Sequence, residues 1–371
     1  TFLVTIAVLS LIAMPLLTAE ETKIDLSGRL AVGYQDQGKG GSANPGSFTV
    51  PDAKIQLTGK IAEDVSGVIR LDLDGGAANG ADYAYISVDN LINKLANTKS
   101  PVNPSIVIGL QKINFGEETF NSNAADNALV NNSAANVNGN DIGITFKQED
   151  LVPNLPLILG ASLALMNGCG GADNNNAKAY GLKVSGTMKS MPLYFSISDY
   201  GSNTLPCIAN ASALVVGDPT LNGPVAGRTS NWTRKVYELD VRYDLLEGAS
   251  KFDPSKAPLF SDAKGVFRLA YGNGTDSLDV AGKPLTQAYI MIDGIYNVDK
   301  KWYVAFRYSY DDLAVSGATG GALGKYTSIS FGGGNRITDN TTLKLDYTTN
   351  TEPTAVKVDN NSVNLIFSTK W

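Results

Sequence analysis

An alternation of apolar and polar residues at period two recurs from about residue 23 to residue 371 and limits this chain to very few folds. In the last segment Val363, Leu365, Phe367 and Trp371 share one face, while Asn364, Ser368 and Lys370 share the other. The same pattern runs through Ile69-Arg70-Leu71-Asp72-Leu73, through Tyr237-Glu238-Leu239-Asp240-Val241-Arg242-Tyr243-Asp244, and through Leu343-Lys344-Leu345-Asp346-Tyr347. Successive side chains of a strand point to opposite faces, so each stretch reads as a strand with one greasy and one wet face. Such segments number about sixteen, near 23–36, 50–62, 65–74, 81–89, 104–114, 140–149, 154–167, 177–189, 191–201, 232–246, 263–273, 285–298, 301–312, 324–333, 341–350 and 360–371.

The wet faces mix charges of both signs with Gly and Ser, which suits a water-filled lumen better than the outer surface of a sandwich. Long Gly/Asn/Ser-rich connections at 37–49, 115–139, 168–176, 202–231, 274–284 and 313–323 alternate with tight turns such as Ala62-Glu63-Asp64. Two short-side connections break the rule, 90–103 with a helical turn at 91–95, and 247–262. Long loops at one end and short turns at the other define the expected fold, an all-β, closed antiparallel transmembrane β-barrel of about 16 strands. At that strand number a barrel encloses an aqueous channel.

Composition removes most alternatives. Histidine is absent, which closes the Ser/His/Asp and Cys/His routes and the H-E-x-x-H zinc site. No calcium-loop spacing occurs, and the reading includes no metal, no cofactor and no enzymatic activity. A net charge of -6 offers nothing to neutralise a run of phosphates, so nucleic acid is not an expected partner. Residues 1–19 carry no charge and are rich in Leu, Ile, Val and Ala, with Glu20 and Glu21 following at once; they read as an export signal peptide, leaving 20–371 as the barrel domain. Export to an oxidising compartment lets Cys169 and Cys207, on adjacent outer loops of one side, form a disulfide.

The export signal, the even set of alternating strands and the terminal aromatic residue together resemble Gram-negative outer-membrane porins of the general diffusion type. Two places carry the likeness in motif. The apolar positions leading to Trp371, with Phe367 among them, resemble the barrel assembly signal, and Ile108-Gly109-Leu110-Gln111-Lys112-Ile113-Asn114-Phe115-Gly116-Glu117-Glu118 is similar to the segment that leads into the third loop of such barrels, without its usual Pro. The resemblance implies that the loop at 115–139 folds into the lumen as the constriction. It also implies a homotrimer among outer-membrane lipid and lipopolysaccharide that passes ions and small hydrophilic solutes. On this reading the loop supplies Glu117, Glu118 and Asp126 and no base, while Arg29, Arg70, Arg242, Arg268 and Arg307, with Lys54 and Lys344, line the wall across from it. That arrangement implies a transverse field and a weak cation preference.

Two other functions fit the pattern. A substrate-specific outer-membrane channel would show an arginine ladder along the lumen, and the eight arginines are spread over distant strands. A secreted or surface all-β binding or adhesion protein would leave the cell in buffer, where a barrel needs detergent.

Overall fold

The computed structural model describes residues 23–36, 46–74, 80–100, 102–168, 177–205, 207–208, 225–226, 232–248, 251–278, 284–315, 324–353 and 361–371. The expected signal peptide at 1–19, Cys169 and parts of the long loops lie outside these residues, and Cys207 is described by its backbone alone.

The strands are β1 (Lys23–Asp36), β2 (Gly46–Ala62), β3 (Val65–Asp72), β4 (Gly80–Val88), β5 (Ser105–Lys112), β6 (Asn140–Gln148), β7 (Leu157–Met166), β8 (Ala179–Met188) and β9 (Leu193–Leu205). Next come two short pieces, β10 (Cys207–Ile208) and β11 (Val225–Ala226), paired in parallel within the loop expected at 202–231. The wall resumes with β12 (Trp232–Leu245), β13 (Gly265–Leu278), β14 (Leu285–Asn297), β15 (Trp302–Val315), β16 (Gly324–Thr338), β17 (Thr341–Thr351) and β18 (Ser362–Lys370). All except β10 and β11 form one closed barrel in which each strand is antiparallel to its chain neighbours and β1 seals against β18. Sixteen wall strands match the sixteen alternating segments. Several outrun the sequence reading at their loop ends, β13 reaching Leu278 and β16 reaching Thr338, because Gly and polar residues there keep the ladder without keeping the hydrophobic rhythm.

Alternation sets the two faces. Leu26, Ile69, Phe267, Ile292, Phe331 and Leu345 point outward and are among many large apolar side chains left bare. A soluble protein rarely exposes such a continuous apolar surface, and a bilayer covers it. On the inner face stand Asp52, Lys54, Glu238, Asp240, Arg242, Asp244, Arg268, Arg307, Lys344 and Asp346, all buried. The seam follows the same rule. Val32 faces Phe367 and Tyr34 faces Leu365 across β1 and β18, and Trp371 extends the ladder by one residue, exchanging two 3.0 Å backbone hydrogen bonds with Gly28. Phe367 and Trp371 thus lie on the lipid-facing side, as the alternation requires.

Not all of the inner face is polar. Two apolar clusters fill one side of the lumen, and both draw in a loop. Ile113, Phe115, Ala135 and Val137 pack on Ala164, Met166, Tyr200, Val236, Ala270 and Tyr289 of β7, β9, β12, β13 and β14. Nearer the short-turn end, Ala128 and Leu129 pack with Leu259, Ala263, Val266, Ile295, Tyr303 and Ala305. The connection at 90–103 holds the expected helical turn, Leu91–Ala96, tied down by Lys94 to Asp64 at 2.5 Å.

Candidate functional site: the pore neck

The segment between β5 and β6 runs inside the barrel, bonded to inward-facing groups on most of the strands from β7 to β18. Asn114 donates to the Ser162 hydroxyl at 2.6 Å, the Gly116 amide donates to Ser198 at 3.0 Å, and Lys183 donates to the Gly116 carbonyl at 2.8 Å. Further along, Asn131 donates to Thr348 and Ser362 at 2.8 and 2.7 Å, and the Ala134 amide donates to Ser309 at 2.7 Å. The Val130 amide donates to Asp346, and Lys344 donates to the carbonyls of Ala124 and Asn127. A loop buried in a lumen must satisfy its backbone without the ladder, and these side chains of the wall do so.

Gly116 makes the turn into the lumen possible. Its φ is +62°, and a Cβ there would lie 2.2 Å from Oε1 of the buried Glu238. Left-handed backbone alone costs an L-residue about 1–2 kcal/mol, before the displaced carboxylate is counted. Gly116→Ala is therefore expected to lower the temperature at which the folded barrel unfolds on an unboiled gel. An unchanged midpoint would show that the loop does not take this path.

The three loop acids are each paired with a base from the wall, the loop itself having none. Glu118 is sealed, its side chain 0% exposed, with Nη1 of Arg268 at 2.7 Å and Nη2 of Arg307 at 3.3 Å. Asp293 completes the group, 3.1 Å from Arg268 and 2.8 Å from Arg307. Arg307 also donates to the Asn131 carbonyl at 2.6 Å and to Oδ1 of Asn127 at 2.9 Å. Arg268 and Arg307 were expected across the pore from the loop; instead they grip it, and with Glu118 and Asp293 they form a closed lock away from water. Glu117 and Asp126 keep partial contact with the lumen at 25% and 22% side-chain exposure. Lys183 holds Glu117 at 2.6 Å, helped by the Tyr194 hydroxyl, and Lys370 holds Asp126 at 2.8 Å.

Arg29 on β1 and Arg70 on β3 stand on an arc of wall that supplies none of the loop bonds described above. Arg29 pairs with Asp52 at 2.7 Å, Lys54 with Asp72 and Asp74 at 2.5 and 3.0 Å, and Arg70 with Asp82 at 2.6 Å while stacking 3.5 Å over the Tyr83 ring. Lys112, at the end of β5, joins this group and reaches toward Phe120 of the loop, 5.2 Å from the ring centre. Arg242 lies elsewhere. At the short-turn end it chelates Asp244 at 2.7 and 2.8 Å and donates to the Lys256 carbonyl at 2.7 Å, so it is not part of the neck. Lys183, Asp293 and Lys370 were missed as site residues although alternation places each on the inner face; Asp82 and Lys112 were missed because they share the parity of the outward-facing Ala84 and Ile108 on their strands.

A closed sixteen-stranded barrel with an apolar outer belt and a loop bonded across its charged interior has the fold of the outer-membrane porins. Solved structures of low sequence identity share it. OmpT, an outer membrane protein of Vibrio cholerae, superposes with a TM-score of 0.63 at 12% identity, over 96% of this chain and 99% of that one. The outer membrane channel DcaP of Acinetobacter baumannii gives 0.63 at 11%, over 94% and 97%. The anion-selective porin from Comamonas acidovorans gives 0.56 at 12%, over 95% and 100%. No family model matches the sequence. No curated protein matches it either.

Proposed function

We propose that this chain is an outer-membrane porin of a Gram-negative bacterium, a channel and not an enzyme, through which ions and small hydrophilic solutes diffuse. The observation that carries the reading is the loop held inside the barrel: it is bonded to one arc of the wall while another arc carries paired charges, an arrangement that suits a narrowed aqueous path and lacks, among the described residues, a continuous arginine track. Residues 1–19 act as the export leader, Cys169 and Cys207 are joined, and three copies assemble in lipid and lipopolysaccharide. Thiol labelling of denatured, unreduced protein tests the bridge, since two labelled cysteines per chain would refute it. Cross-linking in detergent tests the trimer, and a single-chain band would refute that. Liposome swelling tests the channel. Uptake of sugars should fall steeply with size and rise linearly with concentration, whereas saturation would favour a substrate-specific channel and no uptake would favour a binding protein.

Ion preference follows from which partner of each pair meets water. Lys54 is 9% exposed while its partners Asp72 and Asp74 are 24% and 34%, and Lys183 at 9% lies behind Glu117 at 25%. Arg29 at 20% beside Asp52 at 6% and Lys370 at 36% beside Asp126 at 22% work the other way, so the net effect is small. A weak cation preference results, with a permeability ratio of about 2 to 5 at low salt and less at high salt as screening sets in. Reversal potential in a potassium chloride gradient measures it. Asp72→Asn with Asp74→Asn should bring the ratio toward one, and a native preference for chloride would sink the assignment.

A further inference from the structure

We infer that a second loop, the connection at 246–264 between β12 and β13, folds into the lumen from the short-turn end and, with the loop at 113–139, sets the size of the neck. The inference rests on the channel reading and adds a size-determining element to it. Apart from 89–104 between β4 and β5, which carries the helical turn, other connections at this end are brief, such as 63–64 between β2 and β3 and 339–340 between β16 and β17. This one is far longer, and its described part is not left hanging in solvent. Leu259 is 0% exposed and Ala263 2%, in one cluster with Leu129 and Ala128 of the first loop.

The polar contacts agree. Arg336 donates to the Leu259 carbonyl from both Nε and Nη2, at 3.2 and 2.6 Å, and to Oδ1 of Asn297 at 2.6 Å. Arg242 donates to the Lys256 carbonyl, Ser261 donates to Asp244 at 2.6 Å, and Asn297 donates to the Ala263 carbonyl at 2.6 Å. Arg242, Asp244 and Asn297 are buried on the inner face, so the loop backbone lies against the inside of the wall. Buried carbonyls held by charged donors are the stronger class of hydrogen bond, which fixes the loop in place.

Two wall residues join the loops. Lys370 pairs with Asp126 of the first loop at 2.8 Å and lies 4.1 Å over the Phe260 ring of the second. Tyr303 donates to the Ala128 carbonyl at 3.0 Å, and the Arg336 guanidinium that holds Leu259 lies 5.1 Å from the Tyr303 ring. The two loops therefore meet over β12 to β18, and the first continues along β7 to β9. Water and solutes are left the arc that carries Arg29, Lys54, Arg70 and Lys112.

Single-channel recording tests this on the full-length protein. One variant replaces 248–262 with Asn-Gly, a turn suited to the antiparallel pair Leu245 and Gly265. The second, Leu259→Asp, puts a charge into the shared apolar cluster and leaves the chain length unchanged. Native protein should give discrete channels, and both variants, confirmed as folded barrels by gel mobility, should conduct about 1.5 to 2 times more because the neck is wider. Where the shortened chain does not fold, Leu259→Asp decides. Unchanged or reduced conductance in a folded variant overturns the inference and leaves the porin intact; no channels from the native protein overturn the porin reading itself.

Discussion

Glu118→Ala is expected to loosen the constriction loop and destabilise the barrel by about 3–5 kcal/mol, the loss typical when one partner of a buried ion pair is removed. The reason is local. Glu118, Asp293, Arg268 and Arg307 form a neutral group whose side chains are 0%, 0%, 6% and 1% exposed. Without Glu118, two guanidiniums share one carboxylate in a place water does not reach. Glu118→Gln keeps the shape and an acceptor but not the charge, and should lie between wild type and alanine. Combining Glu118→Ala with Arg268→Ala should cost less than the sum of the two, because the double change removes a charge of each sign. The readouts are the unfolding midpoint and single-channel conductance, which should fall and rise respectively in Glu118→Ala. Native values for both would mean that the lock does not hold the loop.

Deleting Trp371 should impair assembly far more than replacing it. The residue contributes two things to the seam, the backbone pair with Gly28 and an indole ring that covers Gly28, where an added Cβ would lie 2.5 Å from Cζ2. Trp371→Phe keeps both in reduced form and should insert nearly as well as the native chain. Trp371→Ala keeps the two hydrogen bonds, each worth about 0.5–1.5 kcal/mol net, and loses the ring. The deletion loses everything at the point where β1 and β18 close, leaving edge groups that no bilayer can satisfy. Heat-modifiable folded protein recovered from membranes should decrease in the order native, Phe, Ala, deletion. Equal recovery from the deletion and the native chain would remove the closing role of this residue.

The barrel was legible because lipid on one side and water on the other impose period two on every strand, and that rhythm is local. Hence β1 was readable to its ends, and Arg29, Lys54, Arg70, Arg268 and Arg307 could be placed on the inner face. Pairing was not legible. Which carboxylate meets which guanidinium depends on contacts as distant as Glu118 to Arg268, and an acid in a loop looks the same in sequence whether it faces water or an arginine. One signal could have told them apart. Strand β7, LILGASLALM, apart from Ser162, and the Tyr289-Ile290-Met291-Ile292 run of β14 are apolar on both faces, and a strand apolar on both faces is covered on both. Their inner side chains, Met166, Tyr289 and Met291, lie under the first loop. The loop at 246–264 had a weaker signal, its length at the short-turn end, with Pro258-Leu259-Phe260 in its middle to be hidden from water.

Single-channel recording of the purified protein in a planar bilayer is the most direct test of an open channel. Stepwise conductance increments are expected, ohmic and proportional to salt activity at high ionic strength, with a uniform step size set by one neck per chain. A protein that folds as a barrel yet leaves the bilayer insulating, or gives no discrete steps, would contradict the channel reading.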